Sequence, residues 1–100
     1  MSQNLIIPSF GKYITTNSNN ENVIPDFPII SYIEGDGIGV DISPVMKKVV
    51  DAAVEKAYGG NKKIAWLELY AGEKAISKYG KDEYLPDETL DMIRKTKVAI

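Results

Sequence analysis

Residues 29–45, IISYIEGDGIGVDISPV, give the clearest indication of the fold. The first five residues are apolar except Ser31, which is typical of a strand buried on both faces of a parallel sheet. Three glycines follow within five residues and mark a tight turn. Asp41 or Ser43 can then cap a helix, with Pro44 in its first turn. The stretch therefore predicts a strand, a glycine turn and a helix in succession.

The predicted helix has an apolar stripe, because apolar residues recur at spacings of three and four. We expect this helix to cross over the sheet and to bury Met46, Val49, Val50, Ala53 and Ala57, with Val54 on the same stripe. Gly59 is the natural left-handed residue at its end.

The rest of the chain continues the alternation. We expect a strand at residues 64–70, a short helix at 72–79 ended by Gly80, and a helix opened by Pro86. Leu90 and Ile93 of that helix should face the core, and residues 98–100 should start a third strand. This β-α-β-α-α-β order predicts the α/β class, with a parallel-rich sheet flanked by helices and right-handed crossovers. Ligands bind beyond the carboxyl ends of such strands. Because no segment follows the third strand, half of any site there is missing, and the sheet is expected to be an incomplete part of a larger fold.

Residues 1–28 form a polar, irregular N-terminal extension before the α/β portion at 29–100. Residues 12–16 are rich in β-formers and predict a short strand. The Asn-rich residues 17–22 predict a turn or mobile loop. We expect the extension to pack poorly, with residues 17–22 as its most mobile part.

Composition excludes several classes of function for these 100 residues. A net charge of -2 gives no basic surface for nucleic acid. The absence of Cys and His excludes a disulfide framework, a Cys/His zinc site and a histidine base. No apolar run reaches the ~20 residues of a membrane helix, and the start lacks the pattern of a secretory signal. The sequence predicts a soluble, cytoplasmic protein without a membrane partner.

The glycine turn carries the most functional information, because exposed backbone N–H groups can face a phosphate or a ribose. Gly35 and Gly37 fit the first two positions of the dinucleotide fingerprint, but Val40 occupies the third. The pattern alone leaves open a functional loop or a purely structural bend. Glu34 and Asp36 could bind a metal or move a proton, although solvated charges or a helix cap are favoured.

Several side chains elsewhere are assigned to packing rather than to chemistry. Trp66 stands in an apolar strand and is expected in the core. Tyr70, Tyr79 and Tyr84 have no identifiable partner in the sequence and are interpreted as packing residues with polar tips.

Five segments together resemble the β-decarboxylating dehydrogenases, which act on isocitrate, isopropylmalate or tartrate. They are YIEGDGIGVDISP at 32–44, VVDAAVEKAY at 49–58, YAGEK at 70–74, LPDETL at 85–90 and VAI at 98–100. The likeness runs in unbroken order over residues 23–100. The long polar segment before the first strand, and YAGEK with its following Tyr-Gly, favour the bacterial NADP-dependent isocitrate type within this family.

The resemblance implies a large α/β subunit that works as a homodimer. It implies hydride transfer from the 2-hydroxyl of isocitrate to NADP, then loss of carbon dioxide to give 2-oxoglutarate, with Mg or Mn assisting. The family's isoleucine near the nicotinamide corresponds to Ile38, so Gly37, Ile38 and Gly39 are the expected cofactor-binding residues. The catalytic, substrate and metal-binding residues are expected beyond this chain, which alone should be inactive.

Two alternatives remain open from the sequence. One is a free-standing nucleotide-binding or interaction module. The other is a segment of a related β-decarboxylating dehydrogenase that acts on another 2-hydroxy acid, because the residues that select the acid are expected downstream.

Overall fold

A computed structural model describes residues 4–100 of the chain. The predicted alternation of strands and helices is confirmed, and a small hairpin precedes it. The elements in chain order are β1 (Thr15–Thr16), β2 (Asn22–Val23), β3 (Ile29–Ile33), α1 (Gly39–Tyr58), β4 (Ala65–Leu69), α2 (Glu73–Tyr79) and α3 (Asp87–Thr96).

The central sheet is parallel, as the sequence predicts. β3 and β4 pair in register from Ile29 opposite Ala65 to Ile33 opposite Leu69. Residues 98–100 lie on the other side of β3, where the Ile33 N–H donates to the Ile100 carbonyl at 2.8 Å. The predicted third strand therefore pairs in parallel with β3, through a short bridge between Ser31 and Ala99. This places β3 between two neighbours.

One face of the sheet forms the core. Its buried cluster consists of Ile29, Ala65, Leu67 and Leu69, and Met92 and Ile93 of α3 pack against it. A buried hydroxyl pair joins the same helix to the central strand, because Ser31 Oγ lies 2.7 Å from Thr96 Oγ1. Ile93 therefore faces the core as predicted, and Leu90 is partly buried.

The start of α1 differs from the prediction. The helix begins at Gly39, with Ile38 at the N-cap position, and neither Asp41 nor Ser43 caps it. Helical hydrogen bonding already starts within the glycine turn, since the N–H groups of Asp41 and Ile42 both donate to the Ile38 carbonyl. Pro44 consequently lies beyond the first turn, inside the helix. The end agrees with the prediction, because Gly59 adopts a left-handed conformation and its N–H bonds the Glu55 carbonyl.

The predicted buried face of α1 is wrong in part. Met46 and Val50 are partly buried, but Val49 is 65% exposed, and Ala53 and Ala57 are exposed as well.

Polar contacts between α1 and the sheet explain why the buried face of the helix differs from the predicted one. Trp66 Nε1 donates to Asp51 Oδ1 at 2.9 Å, and the Lys47 ammonium lies 4.7 Å from the centre of the Tyr32 ring. Trp66 thus lies against Asp51 and Tyr32 against Lys47, so these two residues of α1 face the sheet and Val49 faces outward.

In the N-terminal extension, residues 4–14 pack better than expected and the hairpin packs as poorly as expected, while residues 1–3 lie outside the described residues. Leu5, Ile7 and Tyr13 pack against the core cluster, and Ile14 is buried. Residues 15–24 are all exposed. Only Thr15–Thr16 of the predicted strand at 12–16 is a strand, and it pairs antiparallel with Asn22–Val23. Asn17 forms the turn, because its Oδ1 accepts the N–H groups of Asn19 and Glu21.

Within residues 4–100, no helix is long and apolar enough to cross a membrane.

Candidate functional site at the glycine turn

The glycine turn connects the carboxyl end of β3 to the amino end of α1. Gly37 has φ 60°, a left-handed conformation, and nothing lies within 4 Å of the place where a Cβ would stand. Gly39 is needed for another reason, because a Cβ there would lie 1.8 Å from the Glu34 carbonyl oxygen. The turn thus combines a close backbone crossing on its inner side with open space on its outer side.

Ile38 lies between these two glycines and is 72% exposed. Among residues 4–100, no protein acceptor bonds the N–H of Gly37 or of Ile38. The N-terminal end of a 20-residue helix starts at the next residue and adds a partial positive charge. The structure therefore brings Gly37, Ile38 and Gly39 together as one open apolar and hydrogen-bonding surface.

The two acidic residues of the turn both have partners on α2. Glu34 Oε1 accepts a hydrogen bond from the Lys74 ammonium at 3.0 Å. Asp36 accepts the N–H of Glu73 with both carboxylate oxygens, at 3.0 and 3.2 Å. The favoured sequence interpretation is corrected accordingly: Asp36 caps α2 rather than the helix that follows it, and Glu34 is paired rather than merely solvated.

Lys74 is a site residue that the sequence reasoning missed. Its ammonium also donates to Glu68 Oε2 at 2.5 Å, and this hydrogen bond is the main reason that the pKa of Lys74 is raised above its ordinary value. The sequence does not indicate that Lys74 pairs with Glu34, because the two residues are 40 positions apart in the chain.

The aromatic residues that the sequence assigned to packing differ in burial and in their polar partners. Tyr70 is buried, and burial raises the pKa of its phenol. The Tyr79 hydroxyl donates to Glu88 Oε1 at 2.5 Å, so this tyrosine has a partner that the sequence did not reveal. Trp66 is partly buried and meets the Tyr32 ring edge to face at 5.9 Å. Tyr84 is 52% exposed.

A metal ion does not fit the side chains of this segment. In the part of the chain that the structure describes, no group of three His, Cys, Asp or Glu residues could hold one.

Comparison with known proteins relates this geometry to a family. Residues 29–100 match the family model described as isocitrate/isopropylmalate dehydrogenase. The chain is 61% identical over 98 residues to the isocitrate dehydrogenase [NADP] of Coxiella burnetii, and 59% identical over 98 residues to that of Pseudomonas aeruginosa. Each of these two matches covers 98% of this chain and 23% of the relative. The isocitrate dehydrogenase [NADP] of Aquifex aeolicus is 48% identical over 94 residues, which are 94% of this chain and 22% of that protein.

The chain thus spans less than a quarter of the length of these curated relatives. The family model nevertheless covers far more than half of the chain, from the first residue of β3 onward. The chain belongs to the isocitrate/isopropylmalate dehydrogenase family.

Proposed function

We propose that this chain is the N-terminal segment of an NADP-dependent isocitrate dehydrogenase, made of an N-terminal extension at 1–28 and the first part of the large α/β domain at 29–100. The whole enzyme would oxidise the 2-hydroxyl of isocitrate to a ketone by passing a hydride to NADP. Loss of the β-carboxylate as carbon dioxide would then give 2-oxoglutarate. High identity to relatives that are named for this activity supports the proposal.

The proposed role of this segment is to bind the nicotinamide end of NADP. NADP, when bound, supplies the carbon that accepts the hydride. Ile38 would pack its exposed aliphatic side chain against the nicotinamide, and the free N–H groups of Gly37 and Ile38 would face polar atoms of the cofactor. Gly37 would leave room for this approach, and Gly39 would support it from behind by letting the backbone cross close to the Glu34 carbonyl. The single observation that carries this role is the exposed Ile38 on an open turn at the carboxyl end of a parallel strand.

The remaining parts of the reaction are proposed to lie outside these 100 residues. Residues 4–100 hold no group of three His, Cys, Asp or Glu side chains that could bind a metal, so the Mg or Mn of the whole enzyme would be held elsewhere, as would the groups that bind isocitrate and move its proton. The segment alone should therefore show no isocitrate-dependent reduction of NADP.

We further propose that the enzyme is a cytoplasmic homodimer. The outward face of α1 supports a larger assembly, because Ile42, Val45 and Val49 are each more than half exposed along one side of the helix. An apolar stripe of this kind is usually covered by further polypeptide.

The test is a steady-state assay of the full-length enzyme with NADP and isocitrate both varied. Ile38→Lys should lower kcat/KM for NADP by roughly a hundredfold, because misplacing the reacting atoms by ~1 Å has an effect of that size. Ile38→Val, which keeps an aliphatic surface, should retain most of the activity. Unchanged NADP dependence in Ile38→Lys would contradict the cofactor role. Replacing isocitrate by isopropylmalate or tartrate in the wild-type assay tests the substrate, and faster turnover of either would contradict that part.

A further inference from the structure

Lys74 joins three elements at the end of the sheet where the glycine turn lies. Its ammonium donates to Glu34 Oε1 at 3.0 Å, directly after β3, and to Glu68 Oε2 at 2.5 Å, within β4. Lys74 itself stands in the first turn of α2. The Glu34 and Glu68 side chains are only 16% and 26% exposed, so these ion pairs are partly shielded from water.

Asp36 forms a second connection between the same helix and the same turn. Its two carboxylate oxygens accept the N–H of Glu73, the neighbour of Lys74. Gly72 lies directly against this carboxylate, since a Cβ there would come within 2.5 Å of Asp36 Oδ2. Two successive residues of α2 therefore hold Glu34 and Asp36, which flank Gly35 at the entrance of the turn.

Lys74 stays protonated, and therefore positively charged, at neutral pH. Hydrogen bonds to Glu68 and Glu34 raise the pKa of Lys74, although burial alone would lower it. A group that stays protonated throughout the neutral range is poorly suited to act as a general acid or base. It is well suited to hold two carboxylates in a constant position.

We propose that Lys74 is a positioning residue for the cofactor: by clamping Glu34 to β4 and α2, it holds the glycine turn so that Ile38 meets the nicotinamide. This inference rests on the proposed function, because it assigns a means of orienting the same site. The hydrogen bonds of the Lys74 ammonium go to Glu34 and Glu68, so Lys74 would act on the turn through Glu34.

The test uses the full-length enzyme with Lys74→Met, which keeps a long side chain but removes the charge. We expect a KM for NADP raised by roughly tenfold or more, since cofactor orientation depends on the turn. The deuterium isotope effect on kcat with isocitrate labelled at C2 should also increase, because hydride transfer becomes slower relative to product release. Lys74→Arg should restore both values towards wild type.

A matched control lies at the opposite end of the same two strands. Lys62 pairs with Asp26 at 3.2 Å, and Lys62→Met removes one ion pair far from the turn. This variant should leave the KM for NADP and the isotope effect unchanged. Glu34→Gln weakens the clamp from its other side and should shift both quantities in the same direction as Lys74→Met, so the proposal stays testable if Lys74→Met folds poorly.

Two results would overturn the inference, and they can be told apart. If Lys74→Met and Glu34→Gln lower only the thermal midpoint or the fraction of active enzyme, Lys74 has a structural role alone. If Ile38→Lys, run in the same assay, also leaves the NADP dependence unchanged, the proposed cofactor role of the turn fails together with the inference.

Discussion

The contact between Gly72 and Asp36 allows a quantitative prediction about how the turn is anchored. Gly72 has φ 77° and ψ −149°, a region that is essentially reserved for glycine. Alanine there would carry about 1–3 kcal/mol of backbone strain. Its Cβ would also displace the Asp36 carboxylate and so remove the cap of α2, which is worth about 1 kcal/mol. Gly72→Ala should therefore lower the free energy of unfolding by about 2–4 kcal/mol.

Gly80 provides the matched control for this substitution. Its φ of 114° and ψ of 179° lie in the same glycine region, but nothing is within 4 Å of its Cβ position. Gly80→Ala should cause the same backbone strain but should leave the cap of α2 intact. Gly72→Ala should therefore lower the free energy of unfolding by about 1 kcal/mol more than Gly80→Ala does. That difference corresponds to a thermal midpoint lower by about 4–8 °C in a domain of this size.

The assay is thermal and urea unfolding of the chain, followed by circular dichroism and by the fluorescence of its single tryptophan, Trp66. Asp36→Ala completes a double-mutant cycle with Gly72→Ala. Since alanine at position 72 already removes the cap, Asp36→Ala should add little to it, although alone it destabilises by about 1 kcal/mol. Additive effects, or equal losses in Gly72→Ala and Gly80→Ala, would refute the anchoring by Asp36.

Three further predictions concern α1, the buried hydroxyl pair and alkaline pH. In urea unfolding of this chain alone, where no further polypeptide covers the outward face of α1, Val50→Asp should lower the free energy of unfolding by about 1–3 kcal/mol, whereas Val49→Asp should change it by less than about 0.5 kcal/mol; equal effects would contradict the orientation of the helix. Thr96→Val should destabilise by about 0.5–1.5 kcal/mol, because it removes one of the two hydrogen-bond partners of the buried Ser31 hydroxyl and leaves the Val98 carbonyl as the other, and a neutral result would contradict a stabilising role for that pair. The pKa values of Lys74 and Tyr70 are raised above 10.5 and 10.0, so their stabilising contribution is complete below about pH 10 and is lost as the pH rises further. Stability measured from pH 7 to 12 should fall above about pH 10, and Lys74→Met should fall less steeply than wild type.

The sequence predicted the elements well where local residues define them. Gly59, Gly80 and Pro86 end or open helices where the sequence placed them, because their effects on the backbone are local. The parallel pairing followed from strands that alternate with helices.

The orientation of α1 could not be predicted in this way. Val49 and Val50 are equally apolar, and the choice between them depends on Trp66 and Tyr32, which meet Asp51 and Lys47 only after folding. The glycine pattern indicated where the candidate site lies, but it did not indicate the ion pair that holds the glycine turn in place. Lys74 acts on Glu34 across 40 residues, and no periodicity encodes such a pair.

A comparison of two ligands can test whether Ile38 contacts the nicotinamide end of NADP. Binding of NADP and of 2′-phospho-ADP-ribose, which lacks the nicotinamide, should be measured by calorimetry on the full-length enzyme and on its Ile38→Lys variant. Ile38→Lys should weaken the binding of NADP by roughly tenfold or more, while 2′-phospho-ADP-ribose should bind as it does to wild type. Equal weakening of both ligands, or no change in either, would contradict this contact.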